Sequence, residues 1–171
     1  MKRSLLAALA LIVPAAMAAA KPVPWLGGVR PGAGTFYGKI TSATGRYADQ
    51  RGGVVIRDAD IAAHRTGQLA ISSRACRSTA HCLSLRGRPS GSMTLIGHPI
   101  PDAGYTFTVH AAGRVTPLGR VRVSGVLQVP GFIACGHQTI TLSLTGSHGT
   151  VRLTAQTRPR CASPLPAARP G

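Results

Sequence analysis

Asp58, Asp60 and His64 form the densest carboxylate–imidazole cluster of the sequence, in the pattern D-A-D-x3-H. Two carboxylates one residue apart, with an imidazole four positions on, could hold a general base or bind a metal ion. The same residues also describe the start of a short helix over 58–65, with Asp58 as N-cap and Arg57 and Arg65 as ion partners. Only four acidic residues occur among 171. A paired-carboxylate glycosidase would have to draw on Asp49, Asp58, Asp60 or Asp102, and nothing in their surroundings marks them for it. The nucleophile-elbow pattern is missing too: in GRPSG (87–91) the serine stands one position late, and Ser124 falls inside a strand-like run. No glycine-rich loop leads into a helix, so phosphate cradles of the nucleotide-binding kind find no support. The sequence thus offers no positive sign of catalysis and implies no cofactor. A barrel-type hydrolase or isomerase using Asp58, Asp60 and His64 is the enzyme alternative.

Four cysteines could serve metal binding or disulfides. His81 adjoins Cys82 and His137 follows Cys135, but C-x5-C with a lone histidine is a poor match to structural zinc spacing. Two disulfides are expected instead. A hairpin centred near Thr79 sets Cys76 opposite Cys82. A second hairpin, centred between Ser147 and His148, brings Cys135 close to Cys161. The expected pairs are Cys76–Cys82 and Cys135–Cys161.

The remaining chemistry is cationic. Lys and Arg number 20 against the four acids, a formal charge of +16. Arg74, Arg86, Arg120, Arg122 and Arg152 fall at polar positions of alternating runs, interleaved with Ser and Thr. Guanidinium groups among hydroxyls can bind phosphate, sulfate or carboxylate groups through charge-assisted hydrogen bonds. The plain counterpart is a solvated charged surface. An anionic polysaccharide or an anionic lipid surface is the expected partner. Nucleic acid is disfavoured, because aromatic residues make up only 4% of the chain and stacking platforms are scarce.

These residues must be positioned by strands. Tyr105, Phe107, Val109 and Ala111 alternate with Thr106, Thr108 and His110. Alternation recurs over 120–129, 139–145 and 150–156, and less strongly at 35–41, 53–58, 68–74, 82–86 and 92–96. Gly146 to Gly149 reads as a hairpin turn, and Arg114 to Gly119 as a longer connection. Glutamate is absent and lysine occurs three times, which argues against long surface helices. The expected fold is all-β, with about eight or nine antiparallel strands in a small up-and-down barrel or a β-sandwich.

Organisation along the chain follows composition. Residues 1–20 have a basic start (Lys2, Arg3), a short apolar run and small residues ahead of position 21, the pattern of a Sec-type signal peptide. The apolar run is too short to span a bilayer, so a secreted or periplasmic protein without a transmembrane span is expected. A Pro/Gly-rich lead-in (21–33), a β domain (34–157) and a Pro-rich tail (158–171) complete the division. The segments PLGRVRVSG (117–125), GFIACG (131–136) and GTVRL (149–153) resemble a group of secreted bacterial β-domains with glycine-flanked strands. The likeness covers about residues 105–155. A small barrel of the allene oxide cyclase or dirigent type would fit it, and no catalytic residue carries over. The family's further T-G-x-Y strand after the G-T-V segment is replaced here by the tail, while Thr44 to Tyr47 (TGRY) lies near the start.

Overall fold

In a computed structural model of the protein, residues 31–57, 59, 67–74, 81–96, 104–130 and 136–159 are described. Ten strands run through them: β1 (Phe36–Ala43), β2 (Gly53–Arg57), β3 (Gly67–Gln68), β4 (Ala70–Ser73), β5 (Arg86–Gly87), β6 (Ser90–Leu95), β7 (Tyr105–Thr116), β8 (Gly119–Val129), β9 (Thr139–Gly146) and β10 (Gly149–Gln156). A single 3-10 turn, Gly45–Tyr47, follows β1.

Every strand pairing is antiparallel, and the sheet closes on itself. β7 pairs with β8, β8 with β9, β9 with β10, β10 with β1, β1 with β2, β2 with β4, β4 with β5, and β5 returns to β7. β6 continues beyond β5 along the same side of β7, and β3 pairs with β6. Taking β3 with β4 and β5 with β6 as interrupted staves, the wall is an eight-stave up-and-down barrel in chain order. Closure decides between the two architectures the alternation allowed.

Alternation places one residue set inside and the other outside. Phe36, Ile56, Phe107, Leu127, Ile140, Leu142, Leu144 and Leu153 have no exposed surface, and they form one apolar core with their inward neighbours. An eight-stranded barrel has an interior just wide enough for side chains to fill. The outward set is mostly polar, chiefly Thr, Ser and Arg, with Tyr37 among the few large apolar side chains exposed. This sidedness is opposite to that of a lipid-embedded barrel, whose apolar residues face outward. No helix among the described residues is long and apolar enough to cross a membrane.

Tight curvature requires backbones to approach closely at the bends. At Gly91 a Cβ would collide with the His110 carbonyl and Ala111, and at Gly125 with the Thr141 carbonyl and Leu142. Both occupy inward positions where any side chain would push the neighbouring strand away. The interruptions have a local cause as well. Pro89 is buried between β5 and β6, has no N–H for the ladder, and lies against Gly113 of β7. Its carbonyl accepts the Leu69 N–H at 2.9 Å, across the matching break between β3 and β4.

Two expectations on boundaries change. The connection expected over 114–119 is a turn of only Pro117 and Leu118, since β7 runs on to Thr116. Leu118 is buried and anchors that turn, and Gly119 leaves it at φ +80°. The strand expected at 82–86 begins at Arg86. Leu83 and Leu85 are buried, and Ser73 and Leu85 remain joined by an N–H to carbonyl bond of 2.8 Å. The expected turn between β9 and β10 is present, with Gly146 opposite Gly149. The β4–β5 register, Ile71 opposite Gly87 and Ser72 opposite Arg86, is symmetric about position 79.

Candidate anion-binding surface

The strand directions gather the arginines at one end of the barrel. β7 ends there and β8 begins there, as do β4 and β5, while the β9–β10 turn closes the same rim. Arg74 directly follows β4, Arg86 opens β5, Arg120 and Arg122 lie in the first turnings of β8, and Arg152 is the fourth residue of β10. All five are exposed. They form a belt around one rim rather than a single patch. The end is capped by the 3-10 turn, whose Tyr47 is buried and donates its hydroxyl to the Pro117 carbonyl at 3.2 Å.

Within the belt, three arginines are brought together. Arg114 of β7 stands directly opposite Arg120 of β8, and Arg122 follows two residues along the same outer face. An open groove here is lined by Arg114, Arg120, Arg122, Thr145 and Ser147, with Gly146 between the last two adding no side chain. It continues along the wall past Ser124 and His110. Arg122 pairs across to Thr145, which pairs to Thr150. The two threonine hydroxyls are 3.2 Å apart. Arg152 is one row further on, opposite Ser143 and, on its other side, Ser42.

Arg86 and Arg74 belong to the neighbouring arc. Arg86 lies across from Thr116 on one side and Ser72 on the other. The Arg74 guanidinium lies 5.6 Å from the Tyr37 ring centre, a cation–π contact, and its methylenes cover Gly53. Arg74 is thus partly engaged in holding the wall.

Arg114 is not among the arginines that the sequence pattern singles out, because it falls in the connection expected over 114–119, whereas β7 runs through it to Thr116. The signal for it was available in Gly113-Arg114-Val115-Thr116, which continues the alternation of β7 up to Pro117. Among the described residues Asp49 is the one carboxylate side chain, and it lies in a separate groove beside Lys39 and Arg51. None of Arg114, Arg120, Arg122 and Arg152 forms an ion pair among the described residues. Like charges directly opposite in an antiparallel pair disfavour the pairing, so the Arg114–Arg120 contact carries a repulsion with no protein counter-charge among the described residues.

The other candidates lie elsewhere. Asp58, Asp60 and His64 are outside the described residues, as are Cys76, Cys135 and Cys161. Cys82 is half-buried, and its backbone bridges to Arg51. No group of three or more His, Cys, Asp or Glu among the described residues could hold a metal ion. No family model, curated protein or solved structure matches the chain.

Proposed function

We propose that this protein is an exported β-barrel binding module that attaches to an anionic envelope polysaccharide through the arginine rim of its wall. The observation that carries this reading is the opposition of Arg114 and Arg120, extended by Arg122 and bordered by Thr and Ser hydroxyls. Guanidinium groups in such a row supply paired donors to successive anionic groups on a chain, and strand spacing sets where they leave the wall without ordering a loop. Arg152, one row beyond, extends the track across β9 and β10. Polar sidedness also favours a ligand approached from water over one buried in lipid.

The test is retention on an immobilised anionic polysaccharide over a salt gradient. Retention should fall steeply with ionic strength, because exposed charges are screened beyond about 8–10 Å at physiological salt. Replacing Arg120, Arg122 and Arg152 together by Gln should remove most of it. Retention that ignores both salt and these substitutions would overturn the reading. Equal or stronger binding to anionic lipid vesicles than to the polysaccharide would transfer the rim to a membrane role instead.

Export and the disulfides Cys76–Cys82 and Cys135–Cys161 form part of the same proposal. A β4–β5 register symmetric about position 79 supports the first pair. Intact mass and peptide mapping of the secreted protein should show a chain beginning near Lys21 with no free thiol.

A further inference from the structure

We infer that the groove between Arg114, Arg120 and Thr145 is a discrete site for one tetrahedral oxyanion, a phosphate or sulfate group borne by the polymer. This rests on the polyanion reading and narrows it to a ligand class.

The first argument is electrostatic. Directly paired residues in an antiparallel ladder hold their Cβ atoms about 4.5–5.5 Å apart, so the side chains of Arg114 and Arg120 leave the wall side by side. Arg122 projects from the same face two residues on. Three cationic side chains line one open groove, and the described residues that line it include no carboxylate. An anion placed between the guanidinium groups reverses the Arg114–Arg120 repulsion into two attractions.

The second argument concerns shape. The acceptor lone pairs of a carboxylate all lie in one plane, and a guanidinium fork lying in that plane takes the pair on one edge. Two forks approaching from adjacent strands, with hydroxyls on a third, suit a group whose oxygens point in several directions. Arg114 comes from β7, Arg120 and Arg122 from β8, and Thr145 from β9 with Ser147 in the turn beyond it. The Thr150 hydroxyl lies 3.2 Å from that of Thr145. When Thr150 donates to Thr145, the Thr145 hydroxyl hydrogen is free to be donated to an anion in the groove. A tetrahedral oxyanion offers acceptors in three dimensions, to both guanidinium groups and to Thr145 from their separate strands; a carboxylate offers its own in a single plane.

Binding of inorganic phosphate and of acetate, followed by backbone amide NMR shifts at constant ionic strength, tests the site. Phosphate should give saturable shifts concentrated at residues 113–122 and 145–147, with acetate giving none that saturate. Arg120→Gln should weaken phosphate binding about tenfold, the order expected when a charge-assisted bond is lost. Arg158→Gln, at the opposite end of the barrel, should leave it unchanged. Equal saturation by acetate, shifts spread over all basic residues, or full binding by Arg120→Gln would each overturn the inference. If phosphate fails while the polysaccharide column still retains the protein through these arginines, the oxyanion site falls and the polyanion reading stands. If neither binds, both fall. A sulfated dextran and a phosphorylated mannan, compared on the column with polygalacturonate, then separate the two tetrahedral sources from the carboxylate polymer.

Discussion

The two halves of the barrel wall are built differently. β7, β8, β9 and β10 run for 12, 11, 8 and 8 residues, with two-residue turns joining β7 to β8 and β9 to β10, and they are paired over much of their length. β2 to β6 run for 5, 2, 4, 2 and 6 residues, with breaks at Leu69 and at Arg88-Pro89. Both halves bury a continuous apolar face, so the core does not explain the contrast. Backbone chemistry does. Pro89 lacks a donor, and at Gly87 and Gly91 on either side of it the β7 backbone comes too close for a side chain. The interrupted half breaks its ladders beside Pro89, and the uninterrupted half carries the longest continuous pairings. The paired arginines are on the uninterrupted half, where strand register sets the separation of the Arg114 and Arg120 backbones.

Core truncation should show this contrast with the largest effect. Leu142→Ala, in the middle of β9, is expected to lose about 2–5 kcal/mol in urea unfolding. Ile71→Ala, beside the Leu69 break, should fall at the lower end of that range because the short strands can close on the gap. Equal losses would erase the distinction between the halves. Next in size is Gly91→Ala, expected to cost about 1–3 kcal/mol because the added methyl meets the Ala111 backbone; thermal melting reads it. Hydrogen exchange gives a finer view. Amides of β8 and β9 should exchange only through global opening, while those of Gly67-Gln68 and Arg86-Gly87 should open locally. Uniform protection around the wall would contradict the assignment. The smallest effect is the most specific: Arg114→Gln should stabilise the free protein by about 0.2–1 kcal/mol at low salt, and the gain should vanish in high salt.

Alternation made the long half legible in the sequence. From Tyr105 to Ala111 and from Arg120 to Val129, every second residue is apolar, and these residues occupy the core. The symmetric registers about position 79 and between Ser147 and His148 followed from turn spacing. Barrel closure did not follow, because the β1–β10 pairing joins residues more than a hundred positions apart and leaves no local mark. The 82–86 segment misled for a different reason: Leu83 and Leu85 alternate as a strand does, yet their backbone bonds go partly to Arg51 and Ser73 rather than to a ladder. At the candidate site, Arg120, Arg122 and Arg152 were visible as outward residues. Arg114 was hidden by Pro117, which suggested a longer connection than the two-residue turn that Leu118 anchors.

Gln138 gives the barrel a direction of display. Its side-chain oxygen accepts the Gly32 N–H at 2.7 Å, and its backbone joins Thr157 through two further bonds of 3.0 Å. The chain thus enters and leaves the wall side by side, at the rim opposite the arginines. A protein held by either terminal segment, on a resin, a partner domain or a surface, would have its cationic rim at the end of the barrel farthest from Gly32 and Thr157.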